Sequence, residues 1–159
     1  MNDILKLLEE DCRYTPDQIA AMTGRTAEEV SKAIDKLRED GVINGYTALI
    51  DWEKTDADTV TAFIEVKITP QRDDGFDRIA KRIYQYDEVE SLYLMSGAFD
   101  FAVIVTGRSL KDVSQFVSLK LAPIDGVIST ATHFIMKRYK DKHRIFSKKP
   151  VEEERVLFV

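Results

Sequence analysis

The sequence of 159 residues is poor in the residue types that carry most covalent and metal chemistry. It holds one cysteine, Cys12, and two histidines, His133 and His143, so it can form no internal disulfide and offers no clustered Cys/His metal ligands. It has no glycine-rich phosphate loop and no nucleophile–base spacing. We therefore nominate no catalytic residue, no metal ligand and no cofactor, and the sequence favours a protein that is not an enzyme.

Long apolar runs and an excess of basic residues are also missing. No apolar stretch approaches the ~18 residues of a membrane span. The charged opening "MNDILKLLEED" is unlike a signal peptide, so a reducing cytoplasm is the expected compartment. The net charge is −5, and residues 1–50 hold 6 Lys and Arg against 10 Asp and Glu, which gives −4. This acidity argues against a dedicated nucleic-acid binder, whose contact face is usually basic.

Residues 1–51 nevertheless follow the pattern of a helix-turn-helix. Thr15 before Pro16 is typical of an N-cap followed by a first-turn proline. Gly24 suits the turn, and Thr26 with Glu29 three residues later forms a capping box for the third helix. "GYTALID" (45–51) predicts a strand. The side chains expected to be buried are Ile4, Leu5, Leu7, Leu8, Ile19, Ala20, Met22, Val30, Ala33, Ile34, Leu37, Val42 and Ile43.

The second half of the chain has a different rhythm. A polar linker, residues 52–59, leads to a strand over 60–68 that ends at Pro70, a helix within 74–86, strands over 89–96 and 98–107, a helix over 109–122 and a last strand over 126–140. The order β-α-β-β-α-β is that of ferredoxin-like folds. We expect a ferredoxin-like domain over 60–140 and a charged tail over 141–159. The helical side chains expected to be buried are Phe76, Ile79, Ile83, Tyr84, Leu110, Val113, Phe116, Val117 and Leu121.

The combination of these segments resembles the Lrp/AsnC (feast/famine) family of transcription regulators. The resemblance covers about residues 3–140 and is carried by the helix-turn-helix running into "LREDGVINGYTALID", by "SGAFDFAVIVTG" and by "VISTATHFIM". It implies an α+β protein: a winged-type helix-turn-helix that binds double-stranded DNA, followed by a domain that dimerises, often builds higher oligomers and binds a small effector, commonly an amino acid.

The third helix is where base contacts are expected in a helix-turn-helix. The candidate DNA-contacting residues are Arg25, Thr26, Ala27, Glu28, Ser31, Lys32 and Lys36. Glu28 can accept a hydrogen bond from cytosine N4, or it is a solvated carboxylate at the helix start. Glu29 is assigned to the capping box. Lys32 and Lys36 are either phosphate contacts or solvated surface.

The resemblance also implies an effector site at the loop around Gly97, near the interface between dimers. The residues that map there are Met95, Ser96, Gly97, Ala98, Phe99 and Asp100, together with Thr130 and Thr132 on the last strand. Glycine permits close approach of backbone amides to a ligand carboxylate, Asp100 can receive an ammonium group, and Met95 and Phe99 offer apolar contact. The alternative is an ordinary hairpin turn at Gly97 in which Asp100 caps its own backbone.

Two other functions stay open at this level. One is an amino-acid sensor or co-regulator without DNA binding, which the acidic first fifty residues support. The other is an enzyme similar to the siroheme decarboxylases, whose histidine chemistry would rest on His133 and His143.

Assembly is the further expectation. We expect at least a homodimer, built through the sheet face that carries Val60, Ala62, Ile64, Val66 and Ile68. The apolar end Val156–Val159 is expected to dock onto a neighbouring chain. The basic run "KRYKDKHR" (137–144) is interpreted as a solvated strand end, with a nonspecific phosphate clamp as the alternative.

Overall fold

The computed structural model describes residues 1–69 and 75–146. The chain divides into a first unit, Met1–Leu49, and a second unit that begins at Ile50. The predicted strand end at Pro70 and the apolar end Val156–Val159 lie outside the described residues.

The first unit, described in full, contains the helices α1 (Asn2–Glu10), α2 (Pro16–Thr23) and α3 (Ala27–Glu39). The predicted N-cap at Thr15 and the predicted capping box of Thr26 with Glu29 are both confirmed. α2 also has a complete capping box, in which Gln18 is the partner of Thr15, and this was not predicted. Gly24 ends α2 in the left-handed conformation, with a φ of 70°, which glycine adopts without the steric cost of a Cβ. The helices enclose one apolar cluster, formed by Ile4, Leu8, Ile19, Ala20 and Val30.

Three details of this unit differ from the prediction. Met22 is 51% exposed, because a two-turn helix presents a narrow stripe to its neighbours and Ile19 and Ala20 fill it. Val42 is 54% exposed. The predicted strand over 45–51 is not formed, and these residues pair with no strand in the described part of the chain. A strand needs a hydrogen-bonding neighbour, and the pattern of one segment does not reveal whether a neighbour exists.

In the second unit the predicted element order β-α-β-β-α-β is confirmed. The elements are β1 (Val60–Ile68), α4 (Gly75–Tyr84), β2 (Val89–Leu94), β3 (Phe101–Gly107), α5 (Leu110–Phe116) and β4 (Val127–Phe134). A 3₁₀ turn, Trp52–Lys54, precedes them, and α5 continues as a π-helical turn, Val117–Leu121. The strands form an antiparallel sheet in the order β2-β3-β1-β4, which is the ferredoxin-like arrangement.

The core of the second unit corrects the predicted interface. Ala62, Ile64, Val66 and Ile68 are buried in one cluster with residues of α4 and α5, so the β1 face proposed for dimerisation is covered by the chain's own helices. The alternation of a strand shows which of its faces is more apolar, but it does not show whether helices of the same chain or a second copy cover that face. At the helix ends, Tyr84 and Leu110 are 58% and 57% exposed, so these two predictions of burial were also wrong.

The last predicted strand is shorter than expected. β4 ends at Phe134, and a separate hairpin follows, formed by β5 (Lys140–Asp141) and β6 (Arg144–Ile145). Its turn consists of Lys142 and His143, both with positive φ, at 43° and 64°. The basic run predicted as a strand end therefore folds back on itself.

Candidate functional site

The exposed surface of α3 carries alternating charges. Val30 and Leu37 face the core, and Ala33 and Ile34 are partly buried. The exposed positions of the helix are Glu28, Glu29, Ser31, Lys32, Asp35, Lys36, Arg38 and Glu39. This is the outward face that the sequence predicts for contact with DNA.

The two glutamates at the start of α3 have different partners. Glu29 closes the capping box: its Oε2 accepts the Thr26 backbone N–H at 2.9 Å and the Thr26 hydroxyl at 3.1 Å. The backbone N–H of Thr26, and then its hydroxyl, lower the pKa of Glu29. Because the folded state prefers the ionised carboxylate, this contribution to stability is present above the ordinary pKa of Glu29. It is lost as the pH falls through the lowered value.

Glu28 pairs along the helix surface. Its Oε1 lies 2.6 Å from Lys32 Nζ in an i,i+4 ion pair whose side chains are 78% and 74% exposed. Exposed pairs of this kind contribute only about 0.3–0.5 kcal/mol, so the pair opens at little cost. In the free protein Glu28 neutralises the lysine nearest the start of the exposed face.

The residues around the turn before α3 are also engaged. Arg25 Nη1 lies 2.6 Å from Asp3 Oδ2, which ties the turn to α1, and this contact is the main reason that the pKa of Asp3 lies well below its usual range. Ala27 is partly buried against the core cluster. Of the predicted contact residues, Ser31 and Lys36 are exposed, and Glu28 and Lys32 are exposed as an ion pair, while Arg25, Thr26 and Ala27 also have structural roles.

The predicted effector loop joins β2 to β3. Met95, Ser96, Gly97 and Ala98 are exposed, and Phe99 and Asp100 are partly buried. Gly97 does not have a positive φ, and no atom of the described residues lies within 4 Å of a Cβ built on it. Neither the backbone conformation nor packing within the described chain therefore requires glycine at this position.

Asp100 fastens this loop to the sheet. Its Oδ2 accepts the backbone N–H of Ile68 at 2.8 Å, beside a shift in the β1–β4 register between Lys67 and Ile68. The Asp100 backbone N–H donates to Val66 O at 3.0 Å. Asp100 therefore has a structural role, although the backbone group that its side chain binds belongs to β1 and not to its own turn. Any ligand contact by this residue would be added to that role.

Thr130 and Thr132 lie at the same end of the sheet but on another strand. Thr130 pairs with Val66 and Thr132 with Ile64, while Val66 on its other side pairs with Phe101. Neighbouring strands are about 4.8 Å apart, and β1 lies between β3 and β4, so β3 and β4 are roughly 10 Å apart. Within one protomer the loop and the threonines flank β1 instead of converging on one point.

The sheet face opposite the helices carries an aromatic group. Phe63 packs edge-on against Phe99 with ring centroids 5.9 Å apart, and its centroid lies 6.1 Å from the His133 ring. His133 Nε2 is 3.3 Å from Glu65 Oε1. Tyr93 is 54% exposed. On β1 the face with Phe63 and Glu65 alternates with the buried face, and we call it the open sheet face.

Comparison with known proteins agrees with both halves of the chain. Residues 2–44 match the winged helix-turn-helix DNA-binding family, and residues 61–145 match the Lrp/AsnC ligand binding domain. The uncharacterized HTH-type transcriptional regulator YugG of Bacillus subtilis is 50% identical over 145 residues, which cover 91% of this chain and 87% of YugG.

Two similar solved structures are regulators with a bound amino acid. The Neisseria meningitidis transcriptional regulator in complex with L-Met has a TM-score of 0.70 at 24% identity, covering 87% of this chain and 89% of that one. The feast or famine regulatory protein of M. tuberculosis complexed with L-methionine has a TM-score of 0.74 at 22% identity, covering 90% and 94%. At this identity the two structures establish the fold.

A capped helix-turn-helix with an exposed third helix, joined to a ferredoxin-like ligand-binding domain, defines a two-domain DNA-binding regulator. The chain belongs to the Lrp/AsnC family of transcriptional regulators, and it is not an enzyme. Among the helices of residues 1–69 and 75–146, none is long and apolar enough to cross a membrane.

Proposed function

We propose that this protein is a cytoplasmic transcriptional regulator whose binding to double-stranded DNA is controlled by an amino acid bound at the Met95–Asp100 loop. The observation that carries the proposal is Gly97, an exposed glycine that neither its backbone conformation nor its surroundings require. A glycine of this kind fits a position where something from outside the protomer approaches the backbone closely. The L-methionine complexes of two similar structures support an amino acid as the ligand.

The chemistry of the loop suits a zwitterion. Exposed backbone at Ser96 and Gly97 can donate N–H groups to a carboxylate, and the Asp100 carboxylate can accept from an ammonium group. Met95, which is 40% exposed, offers apolar contact to a side chain. Because Thr130 and Thr132 are separated from the loop by β1, we propose that a second copy of the chain completes the site.

A thermal-shift screen with the twenty amino acids tests this proposal directly. A ligand that binds only the folded form at 100 times its Kd stabilises it by about 2.7 kcal/mol, which raises the Tm measurably. We expect one amino acid, or a small chemically related group, to raise the Tm. If all twenty leave the Tm unchanged at millimolar concentration, the amino-acid proposal is overturned while the DNA-binding assignment stands.

Self-association through the open sheet face is the next prediction. We expect at least a homodimer, with higher oligomers, and Phe63→Glu should dissociate it because the new carboxylate would be desolvated in an apolar contact. Leu119→Glu is the matched control: Leu119 is 72% exposed on the π-helical turn of the helical layer. Light scattering measures both masses. A wild-type mass of 18.2 kDa at micromolar concentration, or equal behaviour of the two variants, would contradict the prediction.

For DNA recognition, we expect Glu28→Gln to tighten binding to random DNA. The substitution removes a carboxylate and releases Lys32 from its 2.6 Å ion pair, so one more cation can neutralise a phosphate. The slope of log affinity against log salt should steepen by about 0.9 for each protomer bound. Discrimination between sequences should fall or shift, because an amide pairs well with adenine where a carboxylate accepts from cytosine.

Fluorescence anisotropy on promoter and random duplexes across a salt series measures both effects. Lys32→Ala is the companion variant and should weaken binding to all sequences about equally. If Glu28→Gln leaves both affinities and their ratio unchanged, Glu28 is a solvated residue of the helix start.

A further inference from the structure

The segment 137–146, which contains the β5–β6 hairpin and is called the basic hairpin here, concentrates positive charge on an otherwise acidic chain. Residues 137–144 contain five Lys and Arg and one acid, Asp141, which gives +4 with histidine neutral. Since the whole chain carries −5, all other residues together carry −9. We infer that this basic hairpin is a second DNA-contacting element, which binds the phosphate backbone without reading sequence. The inference rests on the DNA binding of the proposed function.

The hairpin is an ordered platform rather than a loose charged end. The Tyr139 carbonyl accepts the Phe146 N–H at 3.0 Å, extending the pairing of Lys140 with Ile145 and of Asp141 with Arg144. The Arg138 guanidinium lies over the Phe146 ring, 5.1 Å from the ring centroid. Its Nη1 is 3.6 Å from Asp141 Oδ2. Arg138 therefore braces the hairpin, while the side chains of Lys140 and Lys142 are exposed.

The turn presents its cations at a conformational cost. A two-residue turn with positive φ at both positions normally selects Asn-Gly or a similar pair. Here the positions are Lys142 and His143, with φ of 43° and 64°. Such positions cost of order 1–3 kcal/mol each outside glycine and cluster at functional sites. The turn conformation does not favour lysine at its tip, whereas contact with a polyanion would favour a positively charged side chain there.

Charge complementarity identifies the occupant as a nucleic-acid backbone. The helix-turn-helix half carries −4 over residues 1–50, and Glu28 neutralises Lys32 on its exposed helix. Sequence-independent affinity for DNA comes mostly from Lys and Arg neutralising phosphates. The hairpin supplies cations of this kind in one exposed place, and a β-ribbon is a shape that proteins use against duplex DNA.

The test compares two double variants with equal charge change. Lys140→Gln with Lys142→Gln removes two hairpin cations and spares the bracing Arg138. The matched control, Lys81→Gln with Lys111→Gln, removes two exposed lysines from α4 and α5. Anisotropy with the full chain and a random duplex, between 50 and 200 mM salt, gives affinity and salt slope. Light scattering on the same samples gives the oligomeric mass.

We expect the hairpin variant to bind more weakly than the control and to have a salt slope shallower by about 1.8 for each protomer bound. Its deficit relative to wild type should therefore shrink about tenfold between 50 and 200 mM salt. Equal affinities and slopes for the two variants, with wild type binding DNA, would overturn the hairpin inference alone. A fall in oligomeric mass confined to the hairpin variant would make the hairpin a subunit contact instead. Wild type that binds no duplex at low salt would overturn the DNA-binding function as well.

Discussion

Gly126→Ala is expected to lower the free energy of unfolding of the second unit by about 2–4 kcal/mol. Gly126 precedes β4 with a φ of 96°, a conformation that L side chains rarely adopt. A Cβ there would come within 2.8 Å of Ile79 Cδ1, and Ile79 is 1% exposed in the core. The Gly126 carbonyl also accepts the Thr69 N–H at 2.9 Å, so the backbone cannot rotate away without losing that bond.

Urea unfolding monitored by circular dichroism measures this effect. Gly45→Ala and Gly97→Ala are matched controls, because neither glycine has a positive φ and a Cβ at either meets no described atom within 4 Å. Both should stay within about 0.5 kcal/mol of wild type, the usual range for surface substitutions. A Gly126→Ala protein as stable as these two would show that the strained turn relaxes freely.

Gly97→Ala is expected to abolish most of the stabilisation by the proposed amino-acid effector while leaving the unliganded protein unchanged. A methyl group at Gly97 would occupy the space through which a ligand reaches the loop backbone. If affinity falls 100-fold, the stabilisation at a fixed concentration of 100 times the wild-type Kd drops from about 2.7 to about 0.4 kcal/mol. The measurement is the ligand-induced Tm shift of the variant and of wild type.

Gly45→Ala again provides the control, since it places the same methyl group on the first unit and should retain the full shift. Asp100→Ala is a poorer probe, because losing the acceptor of the Ile68 N–H would disturb the sheet whether or not a ligand binds there. An unchanged Tm shift in a folded Gly97→Ala protein would remove the loop backbone from the proposed effector site.

Much of the fold could be predicted from local patterns in the sequence. The caps at Thr15 and Thr26 depend on residues three apart, and the strands and helices of the second unit follow their apolar periods. What local pattern cannot show is which partner covers a face. Val66 and its neighbours on β1 are apolar because helices cover them, and "GYTALID" alternates without a strand beside it.

The candidate sites show the same division. The Glu28–Lys32 pair follows from an i,i+4 spacing and could have been predicted from the sequence alone. The hydrogen bond from the Ile68 N–H to Asp100 joins residues 32 positions apart, beside a shift in strand register. A local sequence pattern cannot predict such a bond. The basic run was visible, but its reversal at Lys142 and His143 lacks the Asn-Gly signal that marks such turns.

The bond between Asp100 and Ile68 makes one backbone amide a reporter of the loop. The Ile68 N–H donates to the Asp100 side chain of the loop rather than to a neighbouring strand. The rate at which this amide exchanges its hydrogen with solvent therefore depends on the position of the loop. Hydrogen exchange at this single amide would register any displacement of Asp100. The last residue of the central strand β1 thus reports the position of the loop, and the measurement needs neither DNA nor a labelled ligand.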